Sequence, residues 1–171
     1  MKKLALLITL ILIIGGCSQK ESDTTSKPVS ERSDLKNRST KWVKMNSSTY
    51  LLEAINASHI YLVGSIDSNT QKVSVSVLKA TNEICKENGT SSDLGITTYT
   101  VSDRLIRFQG ICINGNQVEV PNNEEGKKYL VDITETGEIF SIEMESVKQI
   151  TFDPIGFGLV SSKLENLKNA L

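Results

Sequence analysis

Any imidazole chemistry in this chain falls to one residue, His59. A lone histidine excludes a zinc site built on several histidines and weakens a nucleophile–histidine–carboxylate triad. Ser58, Ser65 and Asp67 are close in sequence, yet strand alternation would set Ser58 and His59 on opposite faces. His59 is expected at the surface or on a strand edge. Carboxylates can do acid–base work without a histidine, as in glycoside hydrolysis. Glu143 and Glu145 stand two apart and would share a strand face, while Glu124, Glu125 and Glu138 lie elsewhere. That spacing is the spacing of an ordinary solvated face, so no catalytic residue is assigned. Asn122, Asn123, Glu124 and Glu125 fall short of the dense oxygen cluster that calcium takes. Gly156-Phe157-Gly158 lacks the rest of a phosphate loop and reads as a close approach at the start of a helix. No metal and no cofactor are expected.

Three cysteines remain: Cys17, Cys85 and Cys112. Cys85 and Cys112 are too far apart for a C-x-x-C redox or zinc motif. In an exported chain such a pair is expected to form a disulfide, closing a loop of about 28 residues worth roughly 3–4 kcal/mol. Two free buried thiols are the alternative.

Cys17 has a different setting. Lys2 and Lys3 precede an apolar run, Leu4–Ile14, of eleven residues. A bilayer-spanning helix needs about 20. The run instead fits the apolar core of a secretory signal, with the two lysines as its positive start. Ile14-Gly15-Gly16-Cys17 then resembles the lipobox of bacterial lipoproteins: an aliphatic residue, two small ones and the cysteine that is lipidated. The resemblance covers residues 1–18 only, and isoleucine is a less usual first residue than leucine. It implies a diacylglyceryl group on the Cys17 sulfur, cleavage after Gly16, and in many bacteria a further acyl chain such as palmitate on the new N-terminus. Two or more chains make a stable anchor where one does not. Ser18, rather than aspartate, implies the outer membrane if the host has one.

Residues 18–40 hold only Pro28, Val29 and Leu35 as apolar positions. Such a stretch cannot bury enough surface to offset its ordering entropy, and reads as a tether spanning about 25 Å as a coil. The expected organisation is therefore a signal over 1–16, anchor and tether over 17–40, and one folded domain over 41–171. The chain has 19 basic and 20 acidic residues, and loss of Lys2 and Lys3 leaves a net charge of about −3. No basic stripe is present to hold nucleic acid, so no nucleic-acid partner is expected.

The folded part must position whatever surface acts. Trp42, Val43 and Met45 open it. Tyr50–Ile55 and Ile60–Ile66 read as strands, and Val73, Val75 and Val77 alternate with Ser74 and Ser76. Leu78–Asn88 reads as a helix stopped at Gly89, or as more strand. Thr90–Asp93 reads as a loop, Ile96–Val101 as a strand, and Ser102-Asp103 as a turn. Leu105–Ile113 is a strand with Ile106, Phe108, Ile111 and Ile113 available for burial. Asn114-Gly115 supplies the two positive-φ residues of a type I′ hairpin turn, and Gln117–Val120 returns with Val118 and Val120 on one face until Pro121. Asn122 or Asn123 would cap a helix from Glu124, closed at Gly137. Strands around Phe140–Met144 and Val147–Phe152 precede a helix begun by Asp153-Pro154. Its stripe is Phe157, Val160, Leu164, Leu167 and Leu171.

The expected fold is α+β: a mostly antiparallel sheet with a C-terminal amphipathic helix packed on it. The expected role is that of a membrane-anchored envelope lipoprotein acting by binding, with another envelope or surface protein as partner. Sheet edges and the Thr90–Asp93 loop are the expected contact surfaces. The alternatives are an envelope enzyme working through carboxylates and a scaffold tying another envelope protein to the membrane.

Overall fold

The computed structural model describes residues 41–80, 82–87, 92–144 and 147–169. The expected signal, Cys17, Ser18 and the tether lie outside the described residues, as do Gly89, Thr90, Ser91, Glu145 and Leu171.

Among the described residues nine strands and three helices follow in order: β1 (Val43–Asn46), β2 (Thr49–Glu53), β3 (Ile60–Ile66), β4 (Val73–Lys79), α1 (Glu83–Glu87), β5 (Asp93–Val101), β6 (Arg104–Ile113), β7 (Asn116–Pro121), α2 (Glu124–Glu135), β8 (Phe140–Met144), β9 (Val147–Phe152) and α3 (Phe157–Lys168). The strands form one sheet in the order β1-β2-β3-β4-β7-β6-β5-β8-β9. Every recorded pairing is antiparallel. The expected antiparallel sheet and C-terminal helix are therefore present.

Local chemistry explains several boundaries. Asn114 and Gly115 take φ of 50° and 78°, the two left-handed positions that the β6–β7 hairpin requires. Asn123 caps α2, its side-chain oxygen accepting from the Gly126 amide at 2.7 Å. Gly126 also lets the helix settle: a Cβ there would stand 2.9 Å from Ile106 Cγ2. After α2, Gly137 turns the chain with φ of 70°.

The sheet curls on itself. Beyond β2, the Ile55 amide donates to the Thr151 carbonyl of β9 at 2.8 Å. Asn56 holds the same junction with both ends of its amide, donating to the Gln149 carbonyl at 2.7 Å and accepting from the Thr151 amide at 2.8 Å. The last strand in the sheet order thus reaches the extension of the second. This occupies backbone groups that an open edge would leave bare.

One sheet face and the helices share the core. Leu52, Leu62, Val75, Val77, Phe108, Ile142, Ile150 and Phe152 are buried together with Leu130 of α2 and Phe157, Val160 and Leu164 of α3. Ser161 of α3 donates to Glu135 of α2 at 2.9 Å, tying the two helices.

Five expectations are corrected. Leu78–Asn88 is neither one helix nor all strand: β4 runs to Lys79, and the one-turn α1 follows. Asp93 belongs to β5 rather than to a loop. Ile106 and Phe108 are buried, but Ile111 is half-buried and Ile113 exposed, because alternation from Phe108 sends odd-numbered residues outward. The final helix starts at Phe157, after a turn in which the Phe157 amide donates to the Pro154 carbonyl at 3.0 Å. Neither Gly156 nor Gly158 permits a close approach, since an added Cβ at either meets nothing within 4 Å. Gly156 is needed for its φ of 87°.

Candidate functional site

Cross-strand pairing carries one row of residues through the core: Leu52, Leu62, Val77, Glu119 and Gly110 face one another in turn. A glutamate therefore occupies a core position, and Glu119 is only 1% exposed. Gly110 makes room for it: a Cβ there would lie 3.3 Å from Glu119 Oε2. Lys79 and Gln117 pair in the neighbouring row, beside Cys112.

The carboxylate is bound on one side. Glu119 Oε1 accepts from Tyr99 Oη at 3.1 Å, from Lys79 Nζ at 3.3 Å and from Gln117 Nε2. Lys79 also donates to Tyr99 Oη at 3.3 Å. Asn82, just ahead of α1, donates to Gln117 Oε1. Glu119 Oε2 has no hydrogen-bond partner among the described residues. Burial of a paired charge is tolerated when donors converge on it, and costly once one is removed. The Cys85–Cys112 disulfide spans the same region, with Cα atoms 5.3 Å apart, and fastens α1 to β6. α1 is thus held to the sheet by a covalent bond and by the Asn82–Gln117–Glu119 chain of hydrogen bonds.

A groove of about 310 Å³ lies between the β3–β4 turn and α2. Val73 and Val131 are its apolar part, and Asp67, Lys72, Glu124, Lys127 and Lys128 are its charged rim. The Thr70 and Asn69 amides donate to Asp67 at 3.0 and 2.8 Å and, with Lys127 nearby, hold its carboxyl below the usual aspartate value. Lys127 bridges Glu124 at 3.0 Å and Asp67 at 3.5 Å. Its pKa is raised, first by the Glu124 bond and then by the charges of Glu124 and Asp67, against some burial. On the far side of α2, Arg104 pairs with Glu125 at 2.7 Å and lies over the Tyr129 ring. Burial and the Asp103 carboxylate raise the Tyr129 pKa.

The sequence candidates are dispersed. His59 is exposed with φ of 64°, its amide 3.4 Å from Glu53 Oε1. Ser65 faces Ser74 across β3–β4 with hydroxyls 3.2 Å apart, so it is turned toward another serine. Glu143 is exposed on β8, and its expected companion Glu145 lies outside the described residues. Among the described residues no group of three histidine, cysteine, aspartate or glutamate side chains converges to hold a metal. Among them, too, no helix is long and apolar enough to cross a membrane.

Sequence reading missed Glu119. Flanked by Val118 and Val120, it has the look of the polar, outward residue of a strand. The signal lay in the hairpin: counting back from Asn114-Gly115 pairs Glu119 with Gly110, on the same face as buried Phe108.

No protein-family model, no curated protein and no solved structure matches this chain.

Proposed function

We propose that this chain is a bacterial envelope lipoprotein, anchored through lipid on Cys17, whose domain acts by binding. The observation that carries the reading is the N-terminal order of two lysines, an eleven-residue apolar run and Ile14-Gly15-Gly16-Cys17. The Cys85–Cys112 disulfide supports it, because such bonds persist in oxidising compartments outside the cytosol. The binding face is the groove between the β3–β4 turn and α2. An apolar floor with lysines and carboxylates on its rim suits a polypeptide segment bearing both kinds of charge. The partner on this reading is another envelope or surface protein, with no nucleic acid involved. The apolar side of α3 serves the domain's own core rather than a partner helix, and burial of Phe157, Val160 and Leu164 supports that assignment.

The test is cross-linking in living cells of the native host, with a Cys17→Ser version in parallel and the mass of the mature N-terminus measured. The expected result is an N-terminus at Cys17 carrying acyl chains, and a defined partner lost both in the Cys17→Ser version and in a Lys72→Glu/Lys128→Glu version. An N-terminus without lipid overturns the anchor. A partner that survives the lysine changes moves the binding face away from this groove.

The envelope-enzyme alternative finds a specific carboxylate in Glu119, with three donors on Oε1 and no partner on Oε2 among the described residues. Its 1% exposure favours a structural role, and Glu119→Gln with turnover unchanged on cell-wall substrates removes the alternative.

A further inference from the structure

The described chain begins at one particular place on the domain. Trp42 Nε1 donates to the Pro154 carbonyl at 3.4 Å, and its ring lies 4.9 Å from that of Phe157. The next residue after Pro154 is Ile155, 59% exposed, and one turn further Leu159 is 72% exposed. Gly137 approaches the same point: a Cβ on it would stand 3.9 Å from Ile155 Cα. Two residues beyond Gly137 is Ile139, 46% exposed. Three large aliphatic side chains therefore open to solvent around the spot where the tether joins the domain. The Pro154–Leu159 turn is pinned there by the Trp42 indole.

We infer that Ile155 and Leu159, with Ile139 beside them, form a membrane-facing surface that seats the domain on the bilayer holding its own N-terminal anchor. This rests on the lipid-anchor reading above. Its own support is positional. A coil of 23 residues, the length of chain from 18 to 40, spans about 25 Å, so a lipid on Cys17 keeps the Trp42 end of the domain within reach of the bilayer. A link of that length raises the effective concentration of the domain at the surface to the order of millimolar, which favours a weak apolar contact. The charges close to it in sequence are of both signs, Glu138 and Asp153 with Lys41 and Lys163. The contact is thus carried by apolar burial and depends little on salt, unlike attraction of a basic patch to anionic lipid.

Trp42 is the chain's only tryptophan and stands beside the patch, so it reports directly. With Cys85 and Cys112 oxidised, Cys17 is the sole free thiol, so the chain from Cys17 onward can be coupled to a maleimide phospholipid. The vesicles are phosphatidylethanolamine and phosphatidylglycerol with spin-labelled acyl chains. Quenching of Trp42 and slowed amide exchange over residues 155–160 are expected, both unchanged at high salt. Ile155→Glu/Leu159→Glu, at two exposed positions, is expected to cut the quenching at least about twofold. Quenching as strong in that variant as in the wild type, or none in either, overturns the inference. So does a dimer in solution, abolished by the same variant, without vesicle protection; it assigns the patch to a second copy. Chemical coupling makes this test independent of cellular lipidation. An unlipidated N-terminus from the host counts against the anchor reading alone.

Discussion

Phe157 of α3 rests directly on Gly64 of β3, where a Cβ would fall 2.9 Å from Phe157 Cε2 and 3.5 Å from both Trp42 Cζ3 and Val160 Cγ1. Gly64 takes no left-handed conformation. Its lack of a side chain is what lets the helix approach the sheet. Gly64→Ala is therefore expected to overpack this contact and cost about 1–3 kcal/mol. Urea unfolding measures it. Phe157→Leu in the Gly64→Ala background should recover part of the loss, so a double-mutant cycle with no coupling would argue against the contact as the cause.

Glu119 and Lys79 form the one ion pair whose carboxylate is buried among the described pairs, with side-chain exposures of 1% and 16%. Lys79→Met leaves the buried Glu119 side chain without its cation, held by Tyr99 and Gln117 alone. Breaking such a pair is expected to cost about 3 kcal/mol or somewhat more. Lys79→Met/Glu119→Met removes both charges and should regain most of it. Denaturant unfolding of the four proteins tests this, and strictly additive losses would contradict the pairing.

The disulfide closes a loop across a sequence separation of 27. Cys85→Ser/Cys112→Ser is expected to lower stability by roughly 3–4 kcal/mol through the freer unfolded chain. The local signature is loosening of α1, read as faster amide exchange over Glu83–Glu87 before the sheet itself opens.

Acid should weaken the β3–β4 turn. The Thr70 and Asn69 amides, helped by Lys127, lower the folded-state pKa of Asp67. A depressed carboxyl adds stability that is full above its unfolded value of about 3.9 and is lost as pH falls through the lower folded value. The margin of the wild type over Asp67→Asn should therefore be constant near neutrality and shrink below about pH 4. Lys127 acts at the other end: its raised pKa contributes fully below about 10.4, and that share is lost as pH climbs through the folded value. Thermal melts of both proteins across the pH range check the two signs. A margin that grows in acid would refute the first.

Local pattern made much of the architecture legible. Asn114-Gly115 specified a hairpin whose register runs from Ile113–Asn116 to Phe108–Pro121. The Asn122-Asn123 cap, the valines of β4 and the weaker alternation over 139–144 were also local signals. Burial within a strand was less legible, because alternation says which residues share a face but not which face meets the core. Ile111 and Ile113 follow Phe108 in sequence and oppose it in space. Glu119 shows the reverse case, a charged residue that the hairpin register turns inward and for which Gly110 across the ladder leaves room.

The sequence by itself determined most strand segments, the Asn114-Gly115 hairpin, a helix capped at Asn122 or Asn123, a cysteine pair suited to a disulfide and the lipobox-like opening, since each depends on residues within a few positions or on residue type. Tertiary structure alone decided that β4 pairs with β7, that β9 curls round to the end of β2, and that Lys79, Tyr99 and Glu119 converge. The physical reason is that these contacts are chosen by competition among many distant strands for one core. Loop closure gives no local sign of which pairing wins.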